Sequence, residues 1–275
     1  MSDFDGKVVV ITGVGRPQGV GRAAALGYAA KGAKLVLADL GSKDNAIGDI
    51  EGTSPDLEAT ATEVANAGGD AIAIATDVSN EDDVKCLIAK AVDKYGRIDA
   101  MVANAAILAG KGDPIDISLA TFMRIQEVNL GGVFLCLREA VRQMLIQGNG
   151  GSIVTVGSRA SRRGDANISA YSASKFGVLG LTQSFAMAYA KDRIRINCVC
   201  PGAVDTEMYV RQTNDFATRE GIDIETAKKR MADVIPLGRL TTGEDVAKAI
   251  MWFTSDETSH VTGQAFNVNG GSWMN

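Results

Sequence analysis

Short apolar runs recur along the chain, and stretches with helical spacing separate them. The runs fall near residues 7–12, 34–39, 71–76, 98–103, 152–157, 194–199 and 265–268. Runs of this length between turn residues read as buried strands. Strands that alternate with helical segments predict a parallel sheet covered by helices on both faces. Farther along, Phe134, Leu137, Val141 and Leu145 fall at helical spacing and form one apolar stripe, suited to a core or to a subunit interface. Residues 41–56 read as an irregular, solvated loop. Residues 206–235 are richer in charge and carry Met208, Tyr209, Phe216 and Met231, the pattern of an amphipathic helical excursion. No linker, repeat or low-complexity tract interrupts the 275 residues, which predicts one domain over 1–275.

The first crossover carries candidate chemistry. A buried strand at 7–12 runs into a turn containing Gly13, Gly15, Gly19 and Gly21, then into an alanine-rich helix at 22–31. Glycines here let the backbone approach a pyrophosphate, and the helix N-terminus offers N–H groups and a positive dipole end. The next strand ends in Asp39, 18 positions after Gly21, where a ribose diol would be read. The strict G-x-G-x-x-G pattern fails, because Gln18 stands in the third glycine's place when counting starts at Gly13. A glycine-rich turn with no ligand is the alternative.

A net charge of −5 and a pI near 5.1 argue against sequence-independent nucleic-acid binding. The cluster Arg159, Arg162, Arg163 is too short to reverse that. The first residues carry acids where a secretory signal would carry a basic region, and no apolar run reaches membrane-spanning length, so the expectation is a cytoplasmic protein without nucleic-acid or membrane partners. Cys86, Cys136, Cys198 and Cys200 lack C-x-x-C spacing. Cys198 and Cys200 share one strand face and read as buried small apolar residues. His260, the only histidine, cannot build a two-histidine metal site. No metal is expected.

Tyr171 and Lys175 are four positions apart, so on a helix they share one face. A free tyrosine ionises near pH ~10, and a neighbouring cation that favours phenolate would let it exchange protons nearer neutrality. Ser158 stands at the end of the strand near 152–157, where its hydroxyl could stabilise developing negative charge on a substrate oxygen. Each residue has a plainer alternative: Ser158 as a strand-end cap, Asn129 as a helix-bend amide, Tyr171 as a half-buried aromatic, Lys175 as a solvated charge.

Taken in order along nearly all of the chain, these motifs resemble the short-chain dehydrogenase/reductase family. Thr12-Gly13 with Gly19, Val20 and Gly21 resembles its cofactor loop, Asp77-Val78 its adenine contact, and Ala103-Asn104-Ala105-Ala106 its strand-four motif. Asn129, Ser158, Tyr171 and Lys175 match its catalytic tetrad, with Tyr171 13 positions after Ser158. Pro201-Gly202, Val204 and Thr206 resemble the segment that holds the nicotinamide. Two departures stand out: five residues lie between Gly13 and Gly19 where the family has three, and the strand-four motif is Ala-Asn-Ala-Ala where Asn-Asn-Ala-Gly is usual.

The resemblance implies a Rossmann-type, doubly wound α/β fold and an NAD-dependent oxidoreductase interconverting a secondary alcohol and a ketone. Tyr171 would move the proton, Ser158 would hold the substrate oxygen, Lys175 would favour phenolate and hold the nicotinamide ribose, and Asn129 would complete a relay through water. It also implies a homo-oligomer, favouring a tetramer, with 206–235 as a substrate lid. A small-molecule substrate is expected among sugars, polyols, hydroxy acids and cyclic alcohols. A catalytically silent cofactor sensor, or an epimerase or dehydratase on the same fold, stays open at this point.

Overall fold

The computed structural model describes residues 4–40 and 56–274. The elements follow in the order β1 (Val8–Thr12), α1 (Val20–Ala29), β2 (Lys34–Asp39), α2 (Leu57–Asn66), β3 (Asp70–Ala75), α3 (Glu81–Tyr95) and β4 (Ala100–Ala103). Next come α4 (Leu119–Gln126), a π-helical turn (Glu127–Gly131), α5 (Gly132–Gln147), β5 (Gly151–Val156), α6 (Ser169–Tyr189) and β6 (Ile194–Pro201). The chain finishes with α7 (Glu207–Glu220), α8 (Ile224–Asp233), α9 (Gly243–Thr254) and β7 (Ala265–Val268).

All seven strands pair in parallel, in the order β3-β2-β1-β4-β5-β6-β7. Alternate strand side chains feed two cores. Val8, Val10, Val36, Met101 and Ile153 point toward α3, α5 and α6. Val9, Ile11, Leu35, Leu37, Val102 and Val154 point toward α1 and α9. With both faces covered, the strands read as near-continuous apolar runs rather than as alternating ones.

Local chemistry accounts for the ends of the elements. Asn80 caps α3 by accepting from the N–H groups of Asp82 and Asp83, three acids occupy the first turn, and Gly96 ends the helix at φ 80°. The strand expected at 98–103 begins at Ala100, because the Gln147 side chain takes the backbone N–H and carbonyl of Ile98 before it. Gln147 Oε1 accepts from the Ile98 N–H at 2.8 Å, and Asp99 Oδ2 accepts from the Val8 N–H at 2.9 Å. The helix expected at 22–31 starts two residues earlier, where Gly19 ends the turn in an extended conformation. The loop expected at 41–56 lies outside the described residues except for Asp56. The stripe on α5 divides: Leu137 and Val141 are in the core, whereas Phe134 is 37% and Leu145 42% exposed. His260 and Cys86 are exposed, and the other three cysteines are buried.

Candidate active site

Strand order reverses between β1 and β4, so the helices after these strands diverge to opposite faces and leave a crevice at their C-terminal ends. A cavity of about 720 Å³ opens there. Every candidate cofactor residue lines it except Gly21, which lies behind the wall. Asn129 is the one tetrad member that does not reach it.

The glycine turn forms one end. Gly13 has φ +74°, and a Cβ there would stand 2.7 Å from Asn104 Nδ2. A Cβ on Gly21 would stand 2.2 Å from the Gly13 carbonyl oxygen. Neither position tolerates a side chain, because the turn is drawn tightly against β4. Asn104 draws it there, donating from Nδ2 to the carbonyls of Thr12 and Gly13, each at 2.9 Å. Gly19 and Val20 then bring the start of α1 to the cavity wall. No side chain caps this helix and its first turn holds no acid, so it is suited to an anion such as a pyrophosphate.

The expanded stretch between Gly13 and Gly19 folds onto its neighbours. The Gly15 N–H donates to Asp39 Oδ2 at 2.8 Å, and the Leu40 N–H donates to Oδ1 at 2.8 Å. Val14 is buried, and its carbonyl accepts from Thr60 Oγ1 at 2.9 Å. Asp39 therefore braces the loop as well as bordering the cavity. Burial pushes its carboxyl upward, against the pull of the Gly15 and Leu40 hydrogen bonds and the Arg16 charge.

Beyond Asp39, Asp77 and Val78 line the wall with Arg124 of α4. Asp77 Oδ1 accepts from the N–H and hydroxyl of Ser79 at 2.9 and 2.6 Å. Arg124 Nη1 donates to Ser79 Oγ at 2.9 Å, and its Nη2 lies 3.6 Å from Asp77 Oδ2. Sequence reasoning missed Arg124. Nothing in its local sequence marks it, since only the tertiary fold brings α4 beside the loop after β3.

Ser158, Tyr171 and Lys175 line the same cavity. Ser158 caps the short 3-10 turn Arg159–Ser161: its Oγ accepts from the Ala160 N–H at 3.1 Å, and its N–H donates to Ser161 Oγ at 3.0 Å. The cap and catalytic readings of this residue are compatible. An oxygen that accepts from the backbone keeps its own proton for an acceptor in the cavity.

Tyr171 and Lys175 lie near the start of α6, with Lys175 Nζ 5.6 Å from the Tyr171 ring centroid. Lys175 is 2% exposed and donates to the Val156 carbonyl at 2.8 Å. Burial lowers its ammonium to about 8, partly offset by Cys198 and Cys200. Burial raises the Tyr171 phenol, and hydrogen bonding with Ser158 acts in the opposite direction. In the protein alone, desolvation therefore outweighs the Ser158 hydrogen bond, and the phenol is not shifted toward phenolate as the Tyr-Lys spacing suggests.

Asn129 sits fully buried in the π-helical turn. Its Oδ1 accepts from the Ile107 N–H at 2.8 Å, while Nδ2 donates to the Ile107 carbonyl at 2.9 Å and to Ser174 Oγ at 3.2 Å. Its amide thus ties α4 and α5 to the segment after β4 and to α6. No group of three or more potential metal-ligating side chains occurs among the described residues.

Comparison with known proteins agrees with this architecture. The family model described as enoyl-(acyl carrier protein) reductase matches residues 13–272. Sorbitol dehydrogenase of Cereibacter sphaeroides is 31% identical over 98% of this chain and 99% of its own. A short-chain dehydrogenase/reductase of Armillaria gallica is 37% identical, covering 97% of this chain and 95% of its own. Among solved structures, carveol dehydrogenase from Mycobacterium avium in complex with NAD superposes with a TM-score of 0.90 at 28% identity, covering 99% of both chains. With relatives matched along almost its whole length, this protein belongs to the short-chain dehydrogenase/reductase family, whose members are NAD(P)-dependent oxidoreductases acting on alcohol groups.

Proposed function

We propose that this protein interconverts a secondary alcohol and a ketone with NAD, and that Tyr171 moves the proton. The observation that carries this reading is the convergence of Ser158, Tyr171 and Lys175 on the cavity wall across from the anion-ready start of α1. NAD, when bound, supplies the two-electron acceptor or donor.

The glycine turn and α1 would hold the pyrophosphate, Asp39 the adenosine ribose diol, and Asp77 and Val78 the adenine. The segment with Pro201, Gly202, Val204 and Thr206 would border the nicotinamide, and Lys175 would reach its ribose. In reduction, Tyr171 would give its phenolic proton to the substrate oxygen while Ser158 donates a hydrogen bond to it; in oxidation, Tyr171 would accept the hydroxyl proton as phenolate. The Asn129 amide is already engaged by Ile107 and Ser174, so a relay through this residue would use its backbone carbonyl.

The relatives named above act on a sugar alcohol and on carveol, which fits an alcohol substrate drawn from sugars, polyols, hydroxy acids or cyclic alcohols. We read 1–275 as one catalytic domain and 206–235 as a cover that excludes water when it closes. We further read the protein as a cytoplasmic homo-oligomer, a tetramer by family analogy. No helix among the described residues is long and apolar enough to cross a membrane.

The test is net NADH formation from NAD and a panel of secondary alcohols, repeated with Tyr171→Phe. The variant keeps the ring and loses the transferable proton, so turnover falls about 10²–10⁴-fold or more, with the fold and most NAD affinity retained. Near-normal turnover in the folded variant requires another proton donor. Product formation without net NADH would instead indicate an epimerase or dehydratase.

A further inference from the structure

We infer that the substrate is an uncharged secondary alcohol or ketone with a hydrocarbon body, rather than a polyol, a sugar or a hydroxy acid. This rests on the hydride-transfer reading above and concerns what surrounds the reacting oxygen.

Tyr209, in the first turn of α7, lines the same cavity as the catalytic serine. Tyr209, 6% exposed, lies near Asp205 and Arg159, and burial followed by the Asp205 carboxylate pushes its phenol up to about 12 against the Arg159 charge. From there the cavity wall is continued by apolar side chains: Phe216 on α7, Met231 on α8, Ile235 after it, and Leu108 and Ile168 from the facing loops. Ile235 is 4% and Leu108 3% exposed, so these two are packed rather than solvated.

Two of the cations bordering the cavity already face opposite charges. Arg159 Nη2 lies 3.2 Å from Asp165 Oδ2. Arg219 Nε lies 3.2 Å from Glu220 Oε1, with its guanidinium 5.4 Å from the Phe216 ring centroid. Lys111, Asn167 and Asp215 border the cavity from exposed positions, and Ser272 adds one uncharged hydroxyl.

A carboxylate carried into this end would have to leave water and compete with Asp165 or Glu220 for its cation. A polyol lying along Leu108, Ile168, Phe216, Met231 and Ile235 would bring hydroxyls against side chains that cannot replace their water hydrogen bonds. A hydrocarbon body loses nothing there, because Ser158 and Tyr171 satisfy its single reacting oxygen and the rest is buried against apolar surface.

The experiment measures kcat/KM with saturating NAD for a methyl-substituted cyclohexanol, sorbitol and lactate. The cyclic alcohol should exceed each of the others by roughly a hundredfold or more. Phe216→Ala, at a partly exposed helix position, should raise KM for the cyclic alcohol by about tenfold and leave the KM for NAD near wild type. Comparable or greater efficiency with sorbitol or lactate would overturn the substrate assignment while leaving the dehydrogenase reading intact. An equal KM increase for all three substrates, or an unchanged KM, would also overturn it. Absence of NADH from every alcohol, together with absence of NADH consumption by the matching ketones, would remove the dehydrogenase reading itself and this inference with it.

Discussion

Lys175 shows what the site costs the fold. Its ammonium is almost fully buried, and its pKa falls from 10.5 to about 8 chiefly through desolvation. The fold holds this proton less tightly than the unfolded chain, so the penalty is present in full below about pH 8 and fades as pH rises toward 10.5. A shift of that size corresponds to about 3 kcal/mol. Lys175→Met should therefore raise the urea midpoint of the cofactor-free protein at pH 7, with the gain shrinking by pH 10, while catalysis is lost. A lower midpoint at pH 7 would mean that the hydrogen bond to Val156 outweighs desolvation. Asp39 supports a second prediction. Its two oxygens already receive the Gly15 and Leu40 N–H groups in a largely buried position, and a 2′-phosphate there would meet a like charge. Catalytic efficiency should favour NAD over NADP by at least about tenfold, and comparable efficiencies would refute the preference. Tyr171, Lys175, Ser158 and Asp39 could be singled out in the sequence because spacing and strand ends mark them. Arg124 could not, because its partners Asp77 and Ser79 become neighbours only after β3 and α4 are packed.

Among the elements, strands and helices were legible where burial on both sheet faces left long apolar runs, as in β1, β2 and β5. Boundaries shifted where side chains substituted for ladder bonds, as Gln147 and Asp99 do before β4. The π-helical turn carrying Asn129 left no mark in the hydrophobic pattern, since Val128 and Leu130 fit an ordinary helix equally well. Residues 206–235 read as an amphipathic excursion and fold as α7 and α8, ended and restarted by Gly221 at φ 65° and the cap Asp223. Few of the residues whose burial is described there are buried, whereas α6 runs through the core. Elements with little buried apolar surface open more readily. Hydrogen exchange should accordingly be faster in 206–235 than in α6 for the free enzyme, and should slow there when NAD and a ketone bind together. Equal protection of both helices in the free protein, or no change on binding, would contradict a closing cover.

At the scale of the whole molecule, alternation of strand and helix indicated the doubly wound sheet, but no feature of the chain dictates how copies associate. The structure adds that Phe134 and Leu145 stay exposed on α5 beside a buried Leu137 and Val141. Light scattering after size-exclusion should give a tetramer, and Phe134→Asp combined with Leu145→Asp should give a smaller species with unchanged helix content. A monomeric wild-type protein would refute the assembly. The central claim, that the cavity moves a hydride between a carbinol carbon and NAD, is tested most directly by isotope transfer. A secondary alcohol deuterated at its carbinol carbon is incubated with NAD and the protein, and the nicotinamide is recovered for mass analysis. The account predicts NADH carrying one deuterium per ketone formed, with transfer abolished in Tyr171→Phe. Ketone formed without deuterated NADH, or label returned to the substrate with no net NADH, would contradict it.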